Sequence, residues 1–412
     1  MPGINDALTL GSGLTLPNRL VKAAMAEDMA NSDDLLPNAS HVALYTEWAK
    51  AGFGMVITGN VQVDQRYLGG PRDIAFSRDV PAEKQLQAWK TWAAACNISN
   101  SPTIVQINHP GRQCPAGAGK RGFFEKSVAP SAIPLNFGPG LLPRLLAALA
   151  FGTPIAMTKS DIQTVIKGFA DTAGLAAEAG FSGAEIHAAH GYLLAQFLSP
   201  DSNQRTDEYG GSAAARANIV LEIIAAIRAV VPKNFCIGVK LNSVDVQSAS
   251  KLGDTLEQLK LIAATGIDFL EISGGTYEQP IMSTGPTTKE VPVKSERTKA
   301  REAFFLEFAE TIRHQLPGLP LMVTGGFRTR TGINAALSSN ACDMIGIGRP
   351  AVLAPTLAND VVLNRNINDE GAKVSAPHVE RPWWIKKLGI SAVGAGVENN
   401  WYQARIKRIG KV

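Results

Sequence analysis

The sequence predicts an α/β fold, a single (β/α)8 TIM barrel, and two observations lead to this prediction. Eight short segments are apolar over almost their whole length, as strands buried on both faces of a parallel sheet must be. A longer stretch of helical character follows each segment. This alternation implies parallel strands, in an open doubly wound sheet or in a closed barrel, and the count of eight favours the barrel.

The individual elements follow from local pattern. The helix expected at 212–231 begins at Ser212, a good N-cap residue, and ends before Pro232. The strands are predicted, in chain order, at 19–25, 54–59, 103–107, 183–187, 235–241, 269–273, 321–324 and 344–348. The helices between and after them are predicted at 38–51, 80–96, 160–179, 212–231, 254–265, 300–315, 329–339 and 351–364.

The chain is longer than such a barrel requires. It has 412 residues, whereas barrels of this class need roughly 250. Most of the excess lies in a Gly/Pro-rich insertion at about 110–157, which we expect at the substrate mouth, and in a C-terminal extension at 366–412. The extension is rich in Trp and basic residues, and we expect it to pack on the barrel of residues 1–365 or on a neighbouring subunit.

Composition and charge exclude several classes of function. The net charge of +4 arises from 40 Lys and Arg against 36 Asp and Glu without long runs, which predicts neither a nucleic-acid-binding patch nor a membrane anchor. The apolar stretch at 141–150 contains Pro143 and Arg144 and is too short to span a bilayer. The four cysteines form no C-x-x-C pair, so we predict no metal site and expect a soluble, cytoplasmic protein in a reducing compartment.

Two histidines and a tyrosine follow the fourth predicted strand, namely His187, His190 and Tyr192. Barrel active sites lie at the carboxyl ends of the strands. Two imidazole N–H groups converging on one oxygen would polarise a carbonyl group, and a nearby phenol would deliver a proton to the adjacent carbon. The alternatives are a pair of structural histidines, or a metal site, which is weaker because no third ligand stands at a recognisable spacing.

Glycine-rich segments follow the seventh and eighth predicted strands. Gly326 and Gly348 would let the backbone approach a ligand closely, and Arg349 would neutralise a phosphate dianion. Because the last two strands of a barrel commonly carry its phosphate site, this pattern favours phosphate binding over a pair of tight turns.

Lys240 lies within the apolar fifth strand, where an unpaired ammonium group is costly. Its partner is expected to be a carboxylate, a bound anion or a carbonyl substrate that forms a Schiff base.

The run at 186–212 reads IHAAHGYLLAQFLSPDSNQRTDEYGGS. It resembles the signature of the Old Yellow Enzyme family, the FMN-dependent ene-reductases and NADH:flavin oxidoreductases, and the likeness extends from Asn18 through Arg349. The resemblance implies FMN and NAD(P)H as cofactors and a small enone-type molecule as substrate. Many relatives are dimers or tetramers, so a homodimer or homotetramer is expected.

The resemblance also implies roles for individual residues. The FMN phosphate would bind Gly326, Gly348 and Arg349. Lys240 would lie beside N1 and O2 of the isoalloxazine, where its positive charge raises the reduction potential. Gln106 would contact the pyrimidine edge.

Residues of the first two strand ends would lie against the flavin ring. Ala24, Met25 and Gly59 would contact it by their backbones, and Gly59 is small where the ring passes closely. The family usually has Thr or Cys at the position of Ala26, and alanine cannot form the hydrogen bond near the flavin O4 that such a side chain provides.

The mechanism that follows is hydride transfer from NAD(P)H to N5 of FMN and then to the β-carbon of an α,β-unsaturated carbonyl compound. His187 and His190 would bind the carbonyl oxygen, and Tyr192 would protonate the α-carbon. The alternatives are a flavin-binding barrel without ene-reductase activity and a lysine-dependent barrel aldolase. A subtype of the dienoyl-CoA reductase kind is excluded, because its cysteine cluster is missing.

Overall fold

The computed structural model describes residues 2–122, 124–138, 140–243, 249–274, 306–377, 379–380, 382–383 and 390–411. Eight parallel strands form a closed ring in chain order, in which each strand pairs with the next and the last returns to the first. The predicted barrel is thereby confirmed. The strands are β1 (Leu20–Lys22), β2 (Met55–Gln62), β3 (Thr103–Asn108), β4 (Gly183–Ala188), β5 (Cys236–Asn242), β6 (Phe269–Ser273), β7 (Leu321–Thr324) and β8 (Met344–Ile347).

Helices surround this ring, and side-chain caps define where several of them begin. Ser212 accepts a hydrogen bond from the backbone N–H of Ala215, as its predicted N-cap role requires. Asn38 and Thr158 each form a capping box. The helices are Ala39–Lys50, Ala82–Cys96, Lys159–Ala179, Ala213–Val230, Ala249–Ala264, 306–315 and Arg330–Ser338, and the predicted segment 300–305 lies outside the described residues.

Four predicted elements were wrong in extent. The helix expected at 254–265 begins at Ala249, and the strand expected at 54–59 continues to Gln62. The single helix expected at 351–364 is a short helix at Arg349–Leu353 and a separate π-helical turn at Ala358–Val362. The break lies at Ala354, which precedes Pro355 and has non-helical φ and ψ values of −136° and 88°, since a following proline disfavours the helical conformation. The first strand ends at Lys22, so residues 23–25 leave the sheet at its carboxyl end.

The amino end of the barrel is closed by a hairpin that the sequence did not predict. Leu8–Thr9 pairs antiparallel with Thr15–Leu16. Leu10 and Leu16 pack against apolar side chains inside the ring, among them Met55, Phe269 and Met322. Because this hairpin closes the amino end, the carboxyl end is the open end of the barrel. Parallel barrels place their active sites at that end.

The insertion at 110–157 contains a 3-10 turn at Gly111–Gln113, a two-residue parallel ladder between Val128–Ala129 and Ile155–Ala156, and a helix at Leu141–Phe151. The helix is the predicted apolar stretch, and most of its leucines are exposed while Ala147 is buried. Within the described residues, no helix has the length and apolar character needed to cross a membrane.

The C-terminal extension folds back on the barrel of the same chain. Its helix, Ser391–Ile409, packs against the helices Ala39–Lys50 and Arg349–Leu353. The Lys407 ammonium lies 2.8 Å from the carboxylate of Asp28. The extension therefore covers part of the carboxyl end of the barrel, next to the end of β8.

Candidate active site

A cavity of about 190 Å³ opens at the carboxyl ends of β1 to β5, bounded by described residues. Seven of the side chains or backbone positions proposed from the sequence line it together: Ala24, Met25, Gln106, His187, His190, Tyr192 and Lys240. The closed barrel explains this convergence, because successive parallel strands deliver their carboxyl ends to one rim.

The end of β4 turns sharply into the cavity. His190 and Gly191 both adopt positive φ values, 57° and 73°, a conformation that glycine accepts readily and histidine rarely. The backbone N–H of His190 donates to Oδ1 of Asn242, on the neighbouring β5, at 2.9 Å. This contact holds the strained turn, and the strain at a cavity wall is typical of a functional position.

The two imidazoles bind each other, which differs from the arrangement expected from the sequence. Nδ1 of His187 accepts the backbone N–H of Ala189 at 3.2 Å, so the proton of the neutral ring lies on Nε2. That N–H points at Nδ1 of His190, 3.1 Å away, and Nε2 of His190 lies 3.1 Å from Oγ of Ser273. The hydrogen bonds therefore form a directed series from His187 to Ser273, and the two N–H groups do not converge on one point.

His187 is buried and His190 is partly buried, and desolvation lowers the pKa values of both well below the ordinary value. The mutual proximity of the rings lowers the pKa of His187 further, and the Lys240 ammonium lowers both. The imidazoles are therefore neutral at physiological pH and act as N–H donors without charge.

Tyr192 is 8% exposed, and its ring packs edge-on against His187 with 4.9 Å between ring centroids. It stands at the start of the helix Leu193–Leu198 and lines the cavity. The phenol is thereby placed beside the two imidazoles, as the sequence argument requires.

Lys240 has a carboxylate partner. Its Nζ lies 2.7 Å from Oε1 of Glu271, which stands opposite it on β6, and both side chains are buried. Of the three partners considered from the sequence, the structure provides the structural ion pair. An ammonium group held by a carboxylate is a poor nucleophile, which disfavours the Schiff-base chemistry of an aldolase.

Gln106 is a further buried polar side chain next to the Lys240–Glu271 pair. Its Nε2 donates a hydrogen bond to Oε2 of Glu185 on β4 at 2.5 Å. Burial and the adjacent Glu271 raise the pKa of Glu185. For Glu271, burial alone would raise the pKa, but Lys240 and the hydrogen bond from Glu185 outweigh burial and lower it. Glu185 and Glu271 are functional candidates that the sequence argument missed, because an isolated Glu in an apolar strand carries no motif.

Of the remaining positions at the ends of β1 and β2, some line the cavity and others contact the residues behind its wall. Ala26 lines the cavity with Ala24 and Met25. The backbone N–H of Gly59 donates to Oε1 of Glu27 at 2.9 Å, and a side chain at Gly59 would collide with the Glu27 carboxyl group. Glu27 is therefore a neighbour that requires a glycine here, and the flavin contact expected of Gly59 stays a prediction.

The glycines of the last two strands and Arg349 do not line this cavity. Gly326 adopts a φ of 85° after β7, and a side chain at Gly348 would approach Sδ of Met25 to 3.1 Å. Nη1 of Arg349 lies 2.9 Å from Oε1 of Glu398, in the C-terminal helix, and its guanidinium lies over the ring of Tyr402. Tyr402 in turn lines the cavity, so this tyrosine lies between the cavity and the expected phosphate site.

Five further polar side chains line the cavity and were not proposed from the sequence: Asn60, Asp73, Asn399, Tyr402 and Gln403. Asp73 accepts hydrogen bonds from Gln62 and from the backbone of Gly69 and Gly70, but burial raises its pKa to about 7. The Gly69–Gly70 pair before Asp73 was a signal that could have identified it.

The residues present suit FMN. Gln106 offers an amide and Lys240 an ammonium group at the cavity wall, and Oδ1 of Asn60 is buried there without a hydrogen-bond partner in the described part of the chain. Arg349 and two glycine-rich strand ends provide the chemistry of a phosphate site. The amide and ammonium groups suit the polar edge of an isoalloxazine, and the arginine with the glycine-rich strand ends suits a phosphate.

Comparison with known proteins agrees with this chemistry. The sequence profile of the NADH:flavin oxidoreductase / NADH oxidase family matches residues 6–368. The chain is 49% identical over 405 residues to NADH-dependent flavin oxidoreductase iliE of Neonectria sp., covering 97% of this chain but only 53% of that relative. It is 46% identical to NADH-dependent flavin oxidoreductase iccE of Talaromyces variabilis, covering 98% of this chain and 97% of the relative.

Solved structures show the same fold at lower identity. An Old Yellow Enzyme homologue from Zymomonas mobilis superposes with a TM-score of 0.69 at 23% identity, covering 92% of this chain and 99% of that one. Morphinone reductase superposes with a TM-score of 0.66 at 23% identity, covering 85% of this chain and 87% of that one.

Proposed function

Because the chain belongs to the FMN-dependent NADH:flavin oxidoreductase / NADH oxidase family, we propose that it reduces the activated C=C bond of an α,β-unsaturated carbonyl compound with NAD(P)H as the source of electrons. The observation that carries this proposal is the meeting of His187, His190 and Tyr192 with Gln106 and Lys240 in one cavity. Oxyanion donors and a proton donor there face the groups suited to a flavin edge.

When bound, FMN would supply the hydride-transfer chemistry between NAD(P)H and the β-carbon of the enone. Gln106 and Lys240 would hold the polar edge of its ring system, and Arg349 with Gly326 and Gly348 would hold its phosphate. For Arg349 to bind the phosphate, its ion pair with Glu398 must be shared or exchanged.

The histidines orient the substrate by its carbonyl oxygen. In the structure, the proton on Nε2 of His190 is directed at Ser273. Rotation of the His190 ring toward the cavity would redirect this N–H to the substrate oxygen, while His187 keeps its tautomer through Ala189. Neutral donors suit this role, since they stabilise developing negative charge without themselves becoming acids.

Tyr192 completes the addition of two hydrogen atoms. The β-carbon receives a hydride and the α-carbon receives the phenolic proton, so the C=C bond becomes a C–C single bond. The phenolate then recovers a proton from water. The buried phenol beside two imidazoles is placed for this step, and an ordinary tyrosine is protonated at neutral pH.

The proposal is tested by following the visible spectrum of the purified protein without oxygen. We expect NADH or NADPH to bleach the flavin absorbance and cyclohexenone or maleimide to restore it, with formation of the saturated product. A flavin that NAD(P)H bleaches and only oxygen restores would contradict ene-reduction and leave an NAD(P)H oxidase activity instead.

A further inference from the structure

Four buried polar side chains form one layer inside the barrel, on four consecutive strands. Gln106 on β3 stands opposite Glu185 on β4, and Lys240 on β5 stands opposite Glu271 on β6. Each of the four is at most 3% exposed. Gln106 and Lys240 line the cavity, whereas the two glutamates do not, and the proposed mechanism gives the glutamates no role.

The contacts of these four side chains indicate that the two glutamates together hold one proton. Gln106 donates to Oε2 of Glu185, and Lys240 faces Oε1 of Glu271. The two carboxyl groups lie close enough for each to influence the pKa of the other. If both were ionised, Oε1 of Glu185 would be a buried charged oxygen without a hydrogen-bond partner in the described structure, and two negative charges would face one ammonium group. One shared proton removes both penalties.

The proton belongs on Glu185. Glu271 is the carboxyl group that contacts the ammonium group of Lys240, so its ionised form is the stabilised one. Glu185 contacts a neutral amide, and the nearby carboxyl group of Glu271 opposes a second negative charge. The directions of the two pKa shifts agree with this assignment.

We propose that Glu271 carries the single negative charge of this layer while Glu185 stays neutral, and that Glu271, acting through Lys240, lowers the reduction potential of bound FMN. Reduction adds negative charge to the cofactor, which the Lys240 ammonium favours and the Glu271 carboxylate opposes. Glu271 is thus a positioning residue, which acts on FMN through Lys240. Its negative charge offsets part of the positive charge of the lysine, which was expected from the sequence to act alone. The inference rests on FMN binding in the cavity.

The test compares the FMN midpoint potentials of the wild-type protein, Glu185→Gln and the double variant Glu185→Gln/Glu271→Gln. The measurement is made at about pH 6, far below the ordinary pKa of a lysine side chain. Glu185→Gln exchanges one neutral group for another, so we expect no change in potential. In the double variant the amide that replaces Glu185 cannot become charged, and we expect the ratio of reduced to oxidised FMN at a fixed potential to rise at least about tenfold, about 30 mV for a two-electron couple.

A shift in the Glu185→Gln single variant as large as that of the double variant would overturn the assignment of the charge, as would a double variant with the wild-type potential. Flavin content, read from the visible spectrum, shows separately whether FMN binds at all. An independent measurement needs neither FMN nor activity: the infrared spectrum of the wild-type protein at about pH 8, where exposed carboxyl groups are ionised. We expect the C=O band of a protonated carboxyl group that Glu185→Gln abolishes; a wild-type spectrum without it overturns the proposal even if the variants fail to fold.

Discussion

Nε2 of His187 lies 3.1 Å from Nδ1 of His190, so the two imidazoles at the end of β4 are hydrogen-bonded to each other. The backbone N–H of Ala189 fixes the tautomer of the first ring, and Ser273 binds the second. Under the proposed function, a substrate carbonyl group would compete with Ser273 for the N–H of His190, so we expect the His190 ring to change its hydrogen-bond partner when substrate binds.

Replacing His190 by Ala should slow reoxidation of the reduced flavin by an enone about a hundredfold, the usual effect of removing one oxyanion donor. Reduction by NAD(P)H should slow less, because it develops no charge on a carbonyl oxygen. Anaerobic stopped-flow absorbance measures both half-reactions. His314→Ala, at an exposed position, is the control, and equal losses in the two half-reactions of the His190 variant would argue against a carbonyl-binding role.

Tyr192→Phe removes the proposed proton donor while keeping the ring that packs on His187. We expect the rate of enone reduction to fall by roughly two to four orders of magnitude, the contribution of a positioned general acid, with little change in reduction by NAD(P)H. Rapid-reaction kinetics with product analysis provide the measurement. The control is Tyr209→Phe, which removes a hydroxyl bonded to Glu222 away from the cavity; the proton-donor role fails if both variants behave alike.

The ion pair between Arg349 and Glu398 should anchor the C-terminal helix. Glu398 is 3% exposed in its side chain and Arg349 is 21% exposed, so Glu398→Ala should lower the free energy of unfolding by about 2 kcal/mol. Urea unfolding measures the change. Asp369→Ala breaks a pair whose carboxylate is 61% exposed and should cost less than about 1 kcal/mol. Similar losses in the two variants would contradict an anchoring role.

Asp73 should make stability depend on pH between about 4 and 7. Its pKa rises from 3.8 to about 7 on folding, so in this range the folded protein binds more protons than the unfolded chain. This group's contribution to the free energy of unfolding therefore falls as pH rises from about 4 to 7 and stays low above pH 7. Asp73→Asn should gain stability relative to the wild type at about pH 8 and not at about pH 4.

Urea unfolding of both proteins at the two pH values measures this difference, and subtracting the variant from the wild type removes the contributions of the other titratable groups. A difference that is the same at both pH values would contradict a raised pKa of Asp73 in the folded protein.

Much of the fold was predictable because each element carries a local signal. The β-strand at Phe269–Ser273 and the helix capped by Ser212 have the predicted bounds to within one residue, since apolar runs and N-cap residues act within a few positions. The Pro355 break was visible in the sequence and was overlooked, and the N-terminal hairpin is too short to show a period.

The sequence by itself determined the barrel, the family and the strand ends that meet at the cavity, because these follow from short-range pattern and from a contiguous motif. Only the tertiary structure decided the partners: Glu271 for Lys240, Glu398 for Arg349, Glu27 for Gly59, and each histidine for the other. All but the histidine pair join residues more than 30 positions apart in sequence. Buried charges and N–H groups must find partners, but which partner is within reach depends on how the strands and the extension pack in space.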